Sequence, residues 1–257
     1  MKAIYGPVSS WRLGRSLGVD PICSEEKICS FDCVYCQLGK GRKTCERTEF
    51  ISLEKLKEDF KLASDVKADI ITFSGTGEPT LAENLGVMID YIKQVSDLPL
   101  AVLTNSSLLS DEKVRNALYK LDVVVAKLDA PNDKLFRAIN RPCKGISFDD
   151  YLRAIKEFRE SYTGKFTLQM MFIEMNKGYA KEMAEIVREL NPDEVQINTP
   201  LRPCAVEPLN KDEIMGIKDI FTNLSDVDSV VCVYEAKRPK VKPIDMAEIN
   251  KRKRPEP

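Results

Sequence analysis

Three cysteines within eight residues, in the stretch CSFDCVYCQLG at 29–39, constrain this chain more than any other feature. Cys29, Cys33 and Cys36 follow a C-x3-C-x2-C spacing, with Tyr35 just before the third. A structural zinc site takes four ligands, and a typical iron–sulfur site takes four thiolates. Three clustered thiolates can hold three corners of a [4Fe-4S] cube and leave the fourth iron free to bind something else. Open coordination marks a reactive site rather than a structural one.

The 257 residues contain no histidine. That excludes Ser-His-Asp triads, Cys-His proteases and zinc sites that need imidazole. Any metal must be held by thiolate, carboxylate or amide groups. The N-terminus, MKAIYGPVSSWRLGRS, lacks the apolar core of a signal peptide, and no apolar run is long enough for a membrane span. The expectation is a cytoplasmic protein, whose eight cysteines are metal ligands or reduced core thiols rather than disulfides. With 39 Lys and Arg against 40 Asp and Glu, the net charge of -1 exerts no global pull toward nucleic acid.

Short β-branched runs alternate with amphipathic stretches. Strands are expected at 68–75, 98–105, 122–130, 166–175, 193–200 and 228–235, with a shorter one at 15–22. Several are apolar on consecutive residues, as in parallel strands covered on both faces. Helical spacing runs through 52–63, 81–95, 110–121, 151–161, 179–190 and 211–224, with Leu85, Met88, Ile89 and Ile92 on one face and Ser110 as a cap. Six or seven βα units imply an α/β fold, a partial (β/α)6-type barrel with parallel strands. Residues 1–235 form the barrel domain, with 1–22 as lead-in. From Lys237 onward eight Lys and Arg face three acids, so 236–257 reads as a basic, proline-containing tail, either solvated or an arm for RNA or an acidic partner.

In such a sheet, function collects at the C-terminal strand ends. The cysteine loop follows the first strand, Gly75-Thr76-Gly77-Glu78-Pro79 the second, Asn105-Ser106 the third and Asp129-Ala130-Pro131 the fourth. Asn198 and Arg202 end a later strand. C-x3-C-x2-C with an aromatic before the third cysteine resembles the signature of the radical S-adenosylmethionine (SAM) superfamily. The resemblance implies that the open iron chelates the amino and carboxylate groups of SAM. An electron from the cluster then splits SAM to a 5′-deoxyadenosyl radical, which abstracts hydrogen from a substrate. It implies that Tyr35 contacts the adenine. It also implies that Thr76, Gly77, Glu78 and Pro79 form a GGEP-like motif beside the SAM amino group, with Thr76 in place of the first glycine. Asn105, Ser106, Lys127 and Asp129 take the positions that touch ribose and carboxylate, and Gln169 and Asn198 are further cofactor candidates. The similarity runs over roughly residues 5 to 235.

The phrases GPVSSWRLGRSLGVDP, FSGTGEPTL, LTNSSLL, AKLDAPN, INRP and NTPLRP are similar to those of wyosine-base-forming, tRNA-modifying radical SAM enzymes and their short relatives. Those enzymes usually carry three further cysteines upstream; here only Cys23 precedes the motif. The implied substrate is a macromolecule, tRNA or protein, with a reduced ferredoxin or flavodoxin-type electron donor. Three other readings stand beside it: a glycyl-radical-enzyme activase, a small-molecule or cofactor-biosynthesis enzyme, and a non-catalytic iron–sulfur electron carrier. Cys23, Cys45, Cys143 and Cys204 are either auxiliary-cluster ligands or isolated thiols, and Cys232 belongs to the core. Arg141 and Arg202, each before a proline, are candidates for a substrate carboxylate or phosphate, or for structural ion pairs.

Overall fold

The β-branched runs assemble into one curled sheet. The structure is a computed structural model and describes residues 1–63 and 66–252. Among them are ten strands: β1 Ile4–Ser10, β2 Gly14–Val19, β3 Lys27–Cys29, β4 Gly41–Lys43, β5 Ile70–Phe73, β6 Leu100–Thr104, β7 Val123–Lys127, β8 Lys165–Met171, β9 Glu194–Asn198 and β10 Val230–Cys232. Eight form the main sheet, in the order β1-β2-β5-β6-β7-β8-β9-β10. From β2 to β10 every neighbouring pair is parallel. All seven expected strands are present, and the partial parallel barrel stands. The lead-in adds a strand that was not foreseen: β1 pairs antiparallel with β2 across the Trp11–Leu13 turn.

The helices cover the sheet's outer face: α1 Leu53–Phe60, α2 Leu85–Val95, α3 Glu112–Leu118, α4 Asp133–Ile139, α5 Phe148–Ser161, α6 Ala180–Leu190, α7 Lys211–Leu224 and α8 Met246–Asn250. Leu85, Met88, Ile89 and Ile92 are buried along α2, as their spacing requires. Each fully buried side chain of this size contributes about 1.5–3 kcal/mol. All four residues of β5 are buried, the mark of a strand covered on both faces. Several boundaries differ from expectation: α1 ends at Phe60, α5 begins at Phe148 and α4 was not expected, and two further shifts have a local cause. The cap of α3 is Asp111 rather than Ser110, because the Asp111 carboxylate accepts from both the Lys113 and Val114 amides. Helix α2 begins at Leu85 because Pro79–Leu81 forms a separate 3-10 turn capped by Glu78.

The cysteine loop is tied down on three sides. Its ends, β3 and β4, pair in parallel as a small ribbon. The Ile28 N–H donates to the Thr76 carbonyl at 3.1 Å, and the Glu78 N–H donates to the Ile28 carbonyl at 3.1 Å. The loop thus extends the segment after β5 as a backbone pair. Across the loop, the Val34 N–H donates to the Ile139 carbonyl and the Cys143 N–H to the Ser30 carbonyl, both at 2.9 Å.

A solvated tail is not what residues 244–252 form, and that expectation is corrected. The Ile244 N–H donates to the Gly6 carbonyl, α8 lies along β1, and Ile249 is buried. The Arg252 guanidinium is 4% exposed and meets the buried Asp20 carboxylate at 3.0 Å, with Glu248 at 3.3 Å. It also lies over the Tyr5 ring, 4.2 Å from the centroid. Buried charge survives only when paired, and these carboxylates supply the pairing. Burial works against ionisation of Glu248, but hydrogen bonds from Lys251, the Lys2 amide and Arg252 outweigh it and hold the carboxyl at about 2. Of the tail's basic run, Lys253 and Arg254 lie outside the described residues.

Two outcomes follow from these contacts. Arg252→Ala leaves Asp20 buried without its cation and should cost on the order of 3–5 kcal/mol in urea unfolding. Glu248 has a depressed folded pKa, so its contribution is present above the ordinary 4.5 and is lost as pH falls toward about 2. Glu248→Gln should therefore flatten the acid limb of stability across that window; an unchanged acid limb would contradict these contacts of Glu248. Separately, a Cβ at Gly77 would fall on the Ile28 carbonyl oxygen, which is backbone and cannot swing away. Gly77→Ala should therefore lower stability by about 1–3 kcal/mol or more, and a wild-type urea midpoint would refute the tight pairing.

Candidate active site

The strand ends and the cysteine loop enclose a cavity of about 300 Å³. Cys29, Cys33 and Cys36 line it, together with Tyr35. The next two elements contribute Gly77, Glu78 and Asn105, and the far strands contribute Lys127, Gln169 and Asn198. Ten of the residues singled out from the sequence are thus gathered at one mouth.

Four others stand behind the wall. Thr76 turns away from the cavity: its hydroxyl and amide both donate to Asp20, which holds the start of the T-G-E-P segment. Pro79 opens the 3-10 turn. Ser106, at φ 68°, accepts the Lys127 amide at 3.1 Å and pins the end of β7. Asp129 accepts from the Tyr35 hydroxyl, from Asn140 Nδ2 at 2.7 Å and from the Met171 amide at 2.8 Å. Asp129 is thus engaged by the protein itself and supports Tyr35 from behind. Arg141 is exposed and does not line the cavity, whereas Arg202 lines a neighbouring one.

Glu78 is 2% exposed, and its carboxylate is held by four donors, three on Oε1 and one on Oε2. It accepts from the Thr80 amide and hydroxyl, the Thr104 hydroxyl and the Asn105 amide, at 2.7–3.2 Å. Burial raises its pKa, and these four donors oppose the rise. Its place is therefore set by the ends of β5 and β6, and it fixes Asn105 in turn. Asn105 Nδ2 lies 3.5 Å from the Cys29 sulfur and Asn140 Nδ2 lies 3.5 Å from the Cys33 sulfur. Lys127 Nζ donates to Gln169 Oε1 at 2.8 Å and lies 5.1 Å from the centre of the Tyr35 ring.

Whether this setting suits an iron–sulfur cluster can be read from its donors. Burial raises the Cys29 thiol, and Glu78 and Cys33 raise it further; burial and Asp129 push Cys33 up to about 11. A bound metal charge reverses that preference and makes thiolates the stable form. Amide donors already point at two of the sulfurs, and Lys27 sits nearby with a pKa raised despite burial by Cys36, Asp32 and Cys29. Among the described residues no three such ligands converge closely enough to hold a single ion. The triad instead stands around the cavity wall. Gln169 Nε2 is buried without a hydrogen-bond partner, a donor left for a ligand. The residues present fit a cluster and a polar cofactor beside it.

Among the described residues the other cysteines gather into no group of three metal ligands. Cys23 donates to the Met1 carbonyl at 3.3 Å and Cys204 to the Val206 carbonyl at 3.1 Å. Cys45 is pushed up to about 12 by burial and by its hydrogen bond with Cys143. Cys232 is fully buried, as its apolar strand implied. Sequence reasoning missed Asn140, Lys27 and Arg12. Asn140 lay within the quoted INRP phrase, but nothing local tied it to Tyr35 and Asp129. Arg12 carries no signal of its own until β1 and β2 are seen to bend it over the strand ends.

Comparison with known proteins agrees with this geometry. Residues 27–187 match the Radical SAM superfamily. The UPF0026 protein MJ1312 of Methanocaldococcus jannaschii is 38% identical over 236 residues, covering 88% of this chain and 72% of that protein. The UPF0026 protein slr1464 of Synechocystis is 39% identical over 212 residues, covering 82% and 78%. The fold is similar to that of a radical SAM methyltransferase from Sphaerobacter thermophilus, with a TM-score of 0.62 over 84% of this chain and 66% of that one, at 16% identity. None of the helices among the described residues is long and apolar enough to cross a membrane. From the three thiols, the donors that face them and these matches, the chain belongs to the radical SAM superfamily, whose members are enzymes that use a [4Fe-4S] cluster and S-adenosylmethionine.

Proposed function

We propose that this chain cleaves SAM reductively and abstracts hydrogen from a substrate admitted at the strand ends. One observation carries the reading: the three thiols share a single cavity with the Gly77–Glu78 segment, Lys127, Gln169 and Asn198. Cys29, Cys33 and Cys36 would hold three irons of the [4Fe-4S] cluster and leave the fourth for SAM. When bound, the pair supplies a 5′-deoxyadenosyl radical that takes a hydrogen atom.

The chain's own groups do the positioning. Gly77, whose missing Cβ permits the close pairing with Ile28, keeps the segment's backbone polar groups at the cavity wall for the SAM amino group. Lys127 offers a cation to the SAM carboxylate, and Gln169 Nε2 and Asn198 offer amide donors. The Tyr35 ring faces the cavity as a platform for the adenine, while Asp129 and Asn140 lock its hydroxyl. Asp129 thus acts through Tyr35 as a positioning residue. The electron donor is a reduced ferredoxin or a flavodoxin-type protein.

The substrate reading is a macromolecule, tRNA or protein. It is supported by the open sheet: β1 and β10 lie at opposite ends of the strand order and do not pair, so the sheet does not close into a full barrel. A second reading, a small phosphorylated or carboxylated molecule, is favoured by a side cavity of about 180 Å³ that adjoins the first.

The test is anaerobic reconstitution with iron and sulfide, reduction with dithionite, and assay of 5′-deoxyadenosine with SAM present. Wild type should form it, and the Cys29→Ala/Cys33→Ala/Cys36→Ala variant should not. Iron uptake with SAM left intact would bring the electron-carrier reading forward.

A further inference from the structure

We infer that the side cavity, between the Trp11–Leu13 turn, the loop after β9 and the segment at Arg238, binds a terminal phosphate group of the substrate through Arg12, Arg202 and Arg238. This rests on the central cavity being the reaction chamber. Arg12, Ser74 and Asn198 line both spaces, so a group held in the side cavity places the rest of its molecule toward the thiols.

The charge in this cavity is unbalanced. Three guanidiniums line it, with no Asp or Glu among the lining residues. Arg12 Nε is buried and has no hydrogen-bond partner. The guanidinium contact that Arg12 does make is with the Trp11 ring, 5.2 Å from the centroid. Burial and the nearby charges of Arg202 and Arg238 hold Arg12 down to about 10. A buried donor is normally paired, so the unpartnered Nε of the half-buried Arg12, facing the exposed Arg202 and Arg238 across the cavity mouth, is arranged for an anion. Two hydroxyls support the same reading. Ser10 Oγ accepts the Arg12 and Leu13 amides, and Thr199 Oγ1 accepts the Leu209 amide. Each hydroxyl proton is therefore free to donate into the cavity.

The count of charges selects the anion. A carboxylate carries one negative charge, whereas a phosphate monoester carries about -1.5 to -2 near neutral pH and three acceptor oxygens. The planar guanidinium fork matches those oxygens in pairs. Lys237, Lys240 and Lys242 are exposed beside Arg238 and steer such a group inward.

The experiment titrates the full chain with inorganic phosphate, and separately with a nucleoside 5′-monophosphate, at constant ionic strength, reading Tm and Kd. Both probes should raise the Tm of wild type. Arg12→Gln and Arg202→Gln should each weaken binding about tenfold or more, and Arg12→Lys should recover part of it. Without phosphate, the Gln variants should melt no lower than wild type, because removing one charge relieves repulsion; a merely structural arginine would lower Tm on removal. Arg238→Gln, on an exposed segment, reads the same loss if Arg12→Gln fails to fold. The triple cysteine variant should bind phosphate like wild type, so failure of SAM cleavage and failure of the phosphate site are separable. Phosphate binding that is absent, unchanged in all three glutamine variants, or displaced by SAM overturns the assignment. So does a response confined to RNA lacking a terminal phosphate, which would make the patch a polyanion surface instead.

Discussion

The site depends on a short backbone pairing between Ile28 and the segment Thr76 to Glu78. Loops that carry reactive groups gain entropy by moving, and eleven residues, 30–40, run between the two strands of the cysteine ribbon. Two hydrogen bonds at 3.1 Å make its first residues an extension of the segment after β5. The thiol of Cys29 is then one residue from a fixed point, and the Glu78 carboxylate one residue from the other side of it. Gly77 is the residue that permits this approach, because any side chain there would occupy the Ile28 carbonyl.

Behind the cavity wall, charge is used for position. Glu78 is satisfied by four donors and Asp129 by three, so both carboxylates are fixed by hydrogen bonds rather than by solvent. Each holds a residue that does reach the cavity, Asn105 in one case and Tyr35 in the other. The side cavity is arranged in the opposite way, with arginines that lack carboxylate partners. The same chain thus satisfies its buried acids internally and leaves the arginines of the side cavity, Arg12 half-buried and Arg202 and Arg238 exposed, without carboxylate partners.

Much of this was legible in the sequence. The seven parallel strands announced themselves by consecutive β-branched residues, and the strand-end rule brought Cys29, Gly77, Asn105 and Gln169 to one mouth. What stayed hidden was direction. Asp129 and Thr76 occupy the expected strand ends, but their side chains point to partners more than 50 or 90 residues away, Asp20 and Tyr35. Local sequence carries no information about such partners. The lead-in was hidden for a similar reason: Ile4–Ser10 becomes a strand because β2 offers an antiparallel edge, and the tail docks because Asp20 is already buried there. Arg202 was legible as a candidate, whereas Arg12 became visible only when the first two strands folded over Ser74 and Asn198.

The Asp20–Arg252 pair joins residues 232 apart in the chain. A ribosome adds about 5–20 residues per second, so roughly 10–50 s separate the emergence of the two partners. Through that interval Asp20 can already hold the Thr76 amide and hydroxyl, yet it lacks the cation that offsets its desolvation. The nascent barrel therefore carries the T-G-E-P segment in a provisional state until α8, late in the described chain, brings Arg252 to Asp20.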